Sequence, residues 1–236
     1  MNKYLFIALI VPNIFIGCNE KDVPLEGKVI GFVRLLDKDG GELLDRSGVK
    51  VTMSSKYTTV TDELGKFEIK GVDVGTYIVT FEKEGFGIYK KYNFTFAGGG
   101  RPGVLYDIYL LELPVFQLTQ FHVYPQDNLV VQAIGSMTEV QGYNFTYYFS
   151  AQNDVSSTSF DYSYGYSFCC GAVTEFNHLV SLAGSGFSKG QTVYMTLYAS
   201  NATNKFGFYN YYDYESGKTI DPALKKITEP FPIILK

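Results

Sequence analysis

The chain has 236 residues, with 20 Lys and Arg against 24 Asp and Glu for a formal net charge of -4 at pH 7. That balance, with no basic run, excludes the positive face that nucleic-acid binding requires. Tyr 20, Phe 19 and Gly 24 beside Trp 0 favour strands broken by frequent turns, and no apolar stripe of helical period runs longer than a turn or two.

Met1-Asn2-Lys3 makes a short positive start, and an apolar run from Tyr4 to Ile16 follows, interrupted by Pro12 and Asn13. A bilayer span needs about 20 apolar residues, so this run suits the core of a secretory leader instead. It ends in Phe15-Ile16-Gly17-Cys18. A small residue directly before cysteine resembles the lipobox of bacterial lipoproteins. The resemblance implies cleavage after residue 17, lipid on the Cys18 thiol, and a membrane as partner through that lipid. Each buried methylene is worth about 0.8 kcal/mol, so several acyl chains make a lasting anchor. Asn19-Glu20-Lys21-Asp22 before Val23-Pro24 is linker chemistry. A charged stretch after the cysteine also resembles the tag that sends some lipoproteins to the outer face of the outer membrane. A periplasm-facing anchor is the alternative.

Residues 25–113 read as one domain. Lys28 to Leu35 alternates, with Val29, Val33 and Leu35 on one face, and Asp37-Lys38-Asp39-Gly40-Gly41 is a turn. Val49, Val51 and Met53 form a second inward row, and Tyr57 to Thr61 is a short strand. A turn closed by Gly65 leads into alternating Phe67 and Ile69; Gly75 starts a strand with Tyr77, Val79 and Phe81 on one face. Ile88 to Phe96 and Val104 to Leu111 close the set. Gly98-Gly99-Gly100-Arg101-Pro102-Gly103 precedes no helix, so it reads as a loop and not as a phosphate cradle.

Three places carry a resemblance: Gly31-Phe32-Val33 through Asp39-Gly40 to Gly48-Val49, Thr61-Asp62 with Gly65 and Phe67, and Gly75-Thr76-Tyr77 with Gly85-Phe86. Together they resemble the carboxypeptidase regulatory-like domain, a transthyretin-like sandwich of seven strands. The resemblance implies a scaffold or docking module and no catalysis. Neither of the two histidines, His122 and His178, lies in a His-x-x-Glu zinc-ligand pair.

After Leu113-Pro114 charges thin and aromatics crowd in, which marks a domain boundary and leaves 114–236 as the second domain. Phe116 to Tyr124, Leu129 to Ile134 and Tyr143 to Ser150 each read as a strand bounded by turn residues. Phe187 to Asn201 resembles the sixth strand of fibronectin type III and related immunoglobulin-like domains, with Val193 standing where that family carries its corner tyrosine. The implied fold is an immunoglobulin-like sandwich. Glu229 to Leu235 suits a last strand at a sheet edge, where prolines are tolerated.

Two aromatic segments exceed what a minimal sandwich needs. Phe160, Tyr162, Tyr164, Tyr166 and Phe168 alternate with small polar residues and share one face of an extended chain. Phe206 to Tyr214 adds Tyr209, Tyr211 and Tyr212 before the last strand. These rings pack over a sheet face or against the first domain; alternatively, with nearby Asp and Asn, they form a platform for sugar rings. Cys169-Cys170 reads as two thiols within a strand, since adjacent Cα atoms about 3.8 Å apart sit below the usual disulfide range. With His178 the pair is short of the ligands a metal needs.

The expected fold class is all-β, two sandwiches in tandem after a lipoprotein signal peptide: 1–17 leader, 18–24 lipidated Cys18 and linker, 25–113 and 114–236 the two domains. No catalytic residue, metal or cofactor is expected, because two histidines without a nucleophile motif build no Ser-His-Asp arrangement. The expected role is a non-catalytic binding or scaffold module at the outer membrane, lipid-anchored and facing the cell surface, with a glycan or an envelope protein as partner. The alternative is a glycan-binding lipoprotein of a nutrient-uptake system that uses the Tyr-rich second domain.

Overall fold

The computed structural model describes residues 25–201 and 209–236, and no helix occurs among them. The leader 1–17, Cys18 and the linker 18–24 lie outside the described residues, as do the side chains at 139–141, 169 and 170.

Alternation builds the first seven strands: β1 (Glu26–Leu36), β2 (Lys50–Met53), β3 (Tyr57–Val60), β4 (Lys66–Asp73), β5 (Gly75–Glu82), β6 (Tyr89–Phe96) and β7 (Gly103–Leu111). They form two sheets, β4-β1-β7 and β3-β2-β5-β6, in which only the β1–β7 pair is parallel. The inward rows meet between the sheets. Val29, Val33, Leu35, Val49, Val51, Met53, Val79 and Phe81 are fully buried there, with Phe67 and Ile69 close behind. Asp62 acts as a turn former: its Oδ1 accepts the backbone N–H of Leu64 at 3.0 Å and of Lys66 at 2.8 Å.

The second half contains β8 (Leu118–Gln126), β9 (Val130–Ser150), β10 (Tyr162–Ser181), β11 (Thr192–Ser200), β12 (Tyr211–Asp213), β13 (Lys218–Ile220), β14 (Lys225–Lys226) and β15 (Phe231–Ile234). Two separate strands are expected at Leu129 to Ile134 and Tyr143 to Ser150, but the chain makes one strand of 21 residues across both. Gly142, at φ 132, lets the strand bend and continue instead of turning back. Gly171, at φ 113, does the same in β10, within the register shift between Cys169 and Val173, which a second shift between Val173 and Glu175 follows.

The result is one sheet folded over itself. β9 and β10 pair from Ser181↔Val130 to Tyr162↔Phe149, while the other side of β9 is shared, β8 taking its first half and β11 its second. Phe176 lies opposite Gly135, and on a straight strand Gly135 and Phe145 would be roughly 33 Å apart. The rings of Phe145 and Phe176 nevertheless meet edge to face at 4.9 Å. Phe121 of β8 likewise meets Phe231 of β15 at 5.9 Å. The two leaves therefore face each other and enclose Val131, Ala133, Tyr143, Phe145, Tyr147, Phe149, Val180, Val193, Met195 and Leu197.

Candidate functional site

The tyrosine row of β10 falls on the core side of its leaf. Directly opposed residues of an antiparallel pair share a face. Tyr162 opposes Phe149, Tyr164 opposes Tyr147 and Tyr166 opposes Phe145, all three partners fully buried. Tyr162 and Tyr164 are half-buried against that core, and the Tyr162 hydroxyl donates to the Ser181 carbonyl at 3.1 Å. Tyr166 is 37% exposed and stacks on His178, ring centroids 3.6 Å apart. Replacing Tyr162 or Tyr164 by Ala should therefore lower the melting temperature of the domain, at less than the about 3–5 kcal/mol of a fully buried ring. Thermal melts of the two variants check this.

His178 is a buried polar group at the centre of the second core. It sits between Phe176 and Val180 on the inward row of β10, 2% exposed. Its Nδ1 lies 2.8 Å from the Tyr147 hydroxyl and its Nε2 3.0 Å from that of Tyr143, so it joins the two leaves through both ring nitrogens. Burial pushes its pKa down to about 4 and holds the ring neutral, one nitrogen donating and the other accepting. Among the described residues no three His, Cys, Asp or Glu side chains are grouped to hold a metal ion.

The second aromatic segment behaves differently. Residues 202–208 lie outside the described residues, but Tyr209 to Ser216 can be placed, and they form a seam with the first sandwich. Tyr211 meets Tyr89 at 5.3 Å and Tyr92 at 6.4 Å; Tyr214 meets Tyr92 at 5.2 Å; Tyr209 meets Tyr109 at 5.2 Å. Tyr212 is half exposed and packs on Tyr214. Leu36, Leu111 and Ala223 are buried together beside Tyr109 and Tyr209.

Polar groups fasten the same seam. Asp213, 5% exposed, accepts the Tyr92 hydroxyl, the Ser216 hydroxyl at 2.6 Å and the Ser216 N–H at 3.2 Å. Burial by itself would raise the Asp213 carboxyl, but hydrogen bonds from Ser216 and Tyr92 and the Lys90 charge together hold it below its ordinary value. Lys90 pairs with Glu215 at 2.9 Å, the contact that does most to hold its proton on. The Asn201 side chain donates to the Glu112 carbonyl at 2.8 Å, and Lys225 to that of Pro114 at 3.1 Å.

Two clefts share Asn210, one at this joint and one beside it on the second sandwich. The first, about 170 Å³, is lined by Tyr89, Asp107, Tyr109, Tyr209 and Asn210. Asp107 holds φ 56 inside β7, beside the shift in the β1–β7 register between Gly31 and Val33. The second, about 260 Å³, lies on the outer face of β9, β10 and β11. Asn144, Thr146, Tyr148, Gly165, Ser167 and Ser200 line one side; Asn210, Thr219, Asp221 and Leu224 complete it, and Tyr166 borders it. Asn144 donates from Nδ2 to Ser200 Oγ at 3.3 Å and to the Asn201 carbonyl at 2.9 Å, while its buried Oδ1 has no partner. Burial, with Asp221 nearby, raises the Tyr148 phenol above its ordinary pKa, so it is a neutral hydroxyl.

Of the residues singled out in the sequence, Tyr209 alone reaches the first cleft, Tyr166 borders the second, and Tyr211 and Tyr212 lie along the seam. The two tyrosine trios do not meet in one site. Asn144 and Gly165 are the cleft residues that periodicity does not single out. A glycine interrupting the aromatic alternation of β10 is the one signal that points to them.

The fold and these clefts define the class: an all-β chain of sandwich architecture with a tyrosine- and amide-lined joint. No protein-family model and no curated protein matches it. Among solved structures it is similar to a proposed carbohydrate-binding protein from Bacteroides uniformis, at 15% identity and TM-score 0.37 over 88% of this chain and 98% of that one. It is similar to a DUF3823 family protein from Bacteroides ovatus, at 11% identity and TM-score 0.36 over 89% of this chain and 100% of that one. A cohesin–X-dockerin complex from Acetivibrio cellulolyticus matches 36% of this chain at 21% identity and TM-score 0.31, and the match spans only 58% of that chain. At these scores the likenesses are distant.

Proposed function

We propose that the chain is a non-catalytic binding module of the cell envelope, anchored through lipid on Cys18 and facing the cell surface from the outer membrane. The observation that carries the reading is the tyrosine seam. Domains of one chain ordinarily move relative to each other unless their interface is large and apolar. Here six tyrosines, a buried carboxylate and an ion pair join the two sandwiches. A fixed joint of this kind presents the clefts along it as a preformed surface, and preformation lowers the ordering cost of binding. The leader pattern ending in Gly17-Cys18 and the charged segment behind it supply the address.

The test is direct. Cys18→Ala should abolish incorporation of labelled palmitate and move the protein out of the membrane fraction. Protease added to intact cells should remove the wild-type protein. Labelling that persists in Cys18→Ala overturns the anchor, and full protection in intact cells overturns the surface address in favour of a periplasm-facing one.

A further inference from the structure

We infer that the cleft of about 170 Å³ lined by Tyr89, Asp107, Tyr109 and Tyr209 is a binding site for a substituted ammonium group, such as the head of a choline-type ligand. The step rests on the binding-module reading above and names the ligand class of one of its clefts. Three observations lead there.

The first is how Asp107 comes to face the cleft. Leu105, Ile108 and Leu110 of β7 are all buried on the core side, so the step from 105 to 108 holds one residue more than strand alternation allows. The extra residue falls at the shift in the β1–β7 register, and Asp107 adopts φ 56 there. A bulge of this kind re-aims a side chain out of the alternation. A non-glycine residue at positive φ inside a strand is strained, and such strain collects where ligands are held. The Asp107 carboxylate is exposed and makes no hydrogen bond or ion pair among the described residues; Arg34 senses it only through space.

The second is the set of rings. Tyr89 comes from β6, Tyr109 from β7 and Tyr209 from the segment that closes the joint. Tyr109 and Tyr209 stand 5.2 Å apart with their planes tilted by 46°. Burial raises the Tyr89 phenol above its ordinary pKa, so that wall stays a neutral ring. The face of an aromatic ring is the negative side of its quadrupole and draws a cation that comes within about 6 Å. The chain already uses Tyr109 in this way: the Arg34 guanidinium carbon lies 5.8 Å from its ring centroid.

The third is the balance of charge. Arg34 is held by Glu42 at 2.5 Å, and Lys90, next to Tyr89 in β6, by Glu215 at 2.9 Å. These cations beside the cleft therefore have carboxylates of their own. Asp107 is the one charged side chain lining the cleft among the described residues. An anion would be repelled by that carboxylate and by the ring faces, whereas a cation engages both. Aromatic walls suit a substituted ammonium best, because its methyl groups pack on the rings while its charge meets their faces. The volume lies below the range of about 300–1,000 Å³ for drug-sized ligands, so the cleft takes a head group.

Saturation-transfer NMR on the full chain, in a detergent with neither an ammonium nor a sugar head group, tests the site. The probes are tetramethylammonium and choline. The controls are the uncharged analogue of choline with carbon in place of nitrogen, glucose as a neutral sugar, and acetate as an anion. Saturable binding of both cations is expected, with choline at least about tenfold tighter than its uncharged analogue. Asp107→Asn should weaken choline at least about fivefold and keep the fold, because asparagine tolerates the same positive φ. Tyr209→Leu removes one ring and should weaken choline at least about threefold; where thermal melting shows that it opens the joint, Asp107→Asn decides alone. Three results overturn the inference: no binding of either cation, a control bound as tightly as choline, or choline binding undiminished in a folded variant. Lipid labelling at Cys18 is independent of these titrations. A lipidated protein that binds neither cation overturns the cleft and leaves the envelope reading standing.

Discussion

Acidification from pH 6.5 to about 4 is expected to destabilise the second sandwich steeply in the wild type and far less in His178→Gln. In the folded chain His178 is kept neutral, its pKa pushed down to about 4, whereas in the unfolded chain it takes a proton at its ordinary 6.5. Below pH 6.5 the unfolded state therefore binds more protons, and stability falls with pH until the folded pKa is reached. Each pH unit in that window is worth about 1.4 kcal/mol, so the total is on the order of 3 kcal/mol. Tyr143, Tyr147 and Tyr166 face the ring and none is charged in this range. Asp73 and Asp213 are held below their ordinary 3.8, so the stability they contribute is lost only as pH falls below that value. Glutamine cannot titrate and leaves one tyrosine hydroxyl short of a partner, at a cost of about 1–3 kcal/mol at neutral pH. Urea midpoints measured across the window decide the matter. Parallel slopes for the two proteins would show that His178 is not the titrating group.

Gly87→Leu should part the two sandwiches. A Cβ at Gly87 would stand 1.8 Å from the Pro222 carbonyl oxygen and 2.5 Å from its carbon, and both are backbone atoms that cannot swing aside. One body has to move. The expected losses are the Tyr89–Tyr211 and Tyr109–Tyr209 contacts, each worth about 0.5–1.5 kcal/mol beyond its area, and the Tyr92–Asp213 hydrogen bond, worth about 1.5–3 kcal/mol. Calorimetry should show the melting of the wild type broaden or split in the variant, and small-angle scattering should show a larger radius of gyration. Unchanged scattering would mean that the joint is not set by this contact.

The first sandwich was legible because its strands alternate cleanly and each sheet covers one face of the other. Val29, Val33 and Leu35, or Val49, Val51 and Met53, need only period two to be assigned inward. The second half defeats the same reading at Gly142. A glycine among polar residues ordinarily marks a turn, and here it marks a bend inside a continuous strand. Alternation placed the rings of Tyr162, Tyr164 and Tyr166 on one face but could not say what covers that face, since the cover comes from the far half of the same hairpin. The seam is further from view. Tyr89, Tyr92 and Tyr109 are unremarkable members of first-domain strands, and they acquire their role only when Tyr209, Tyr211 and Tyr214 arrive from 100 or more positions away. His178 left a trace in Phe176-x-His178-x-Val180, a polar residue at an inward position, which calls for a buried hydrogen-bond partner.

The bent hairpin also governs how the second sandwich can come apart. In an ordinary sandwich each leaf has its own strands, and one leaf can fray while the other persists. Here β9 and β10 pass through both leaves, so neither leaf owns a complete set of backbone partners. Opening one leaf withdraws the central strand from the other. Amide protons along β9 should accordingly exchange with solvent together, at the rate of global unfolding, and not leaf by leaf. Assembly carries the mirror-image requirement: the hairpin of β9 and β10 can zip from its loop outward, but β8 and β11 find their places only after it has bent.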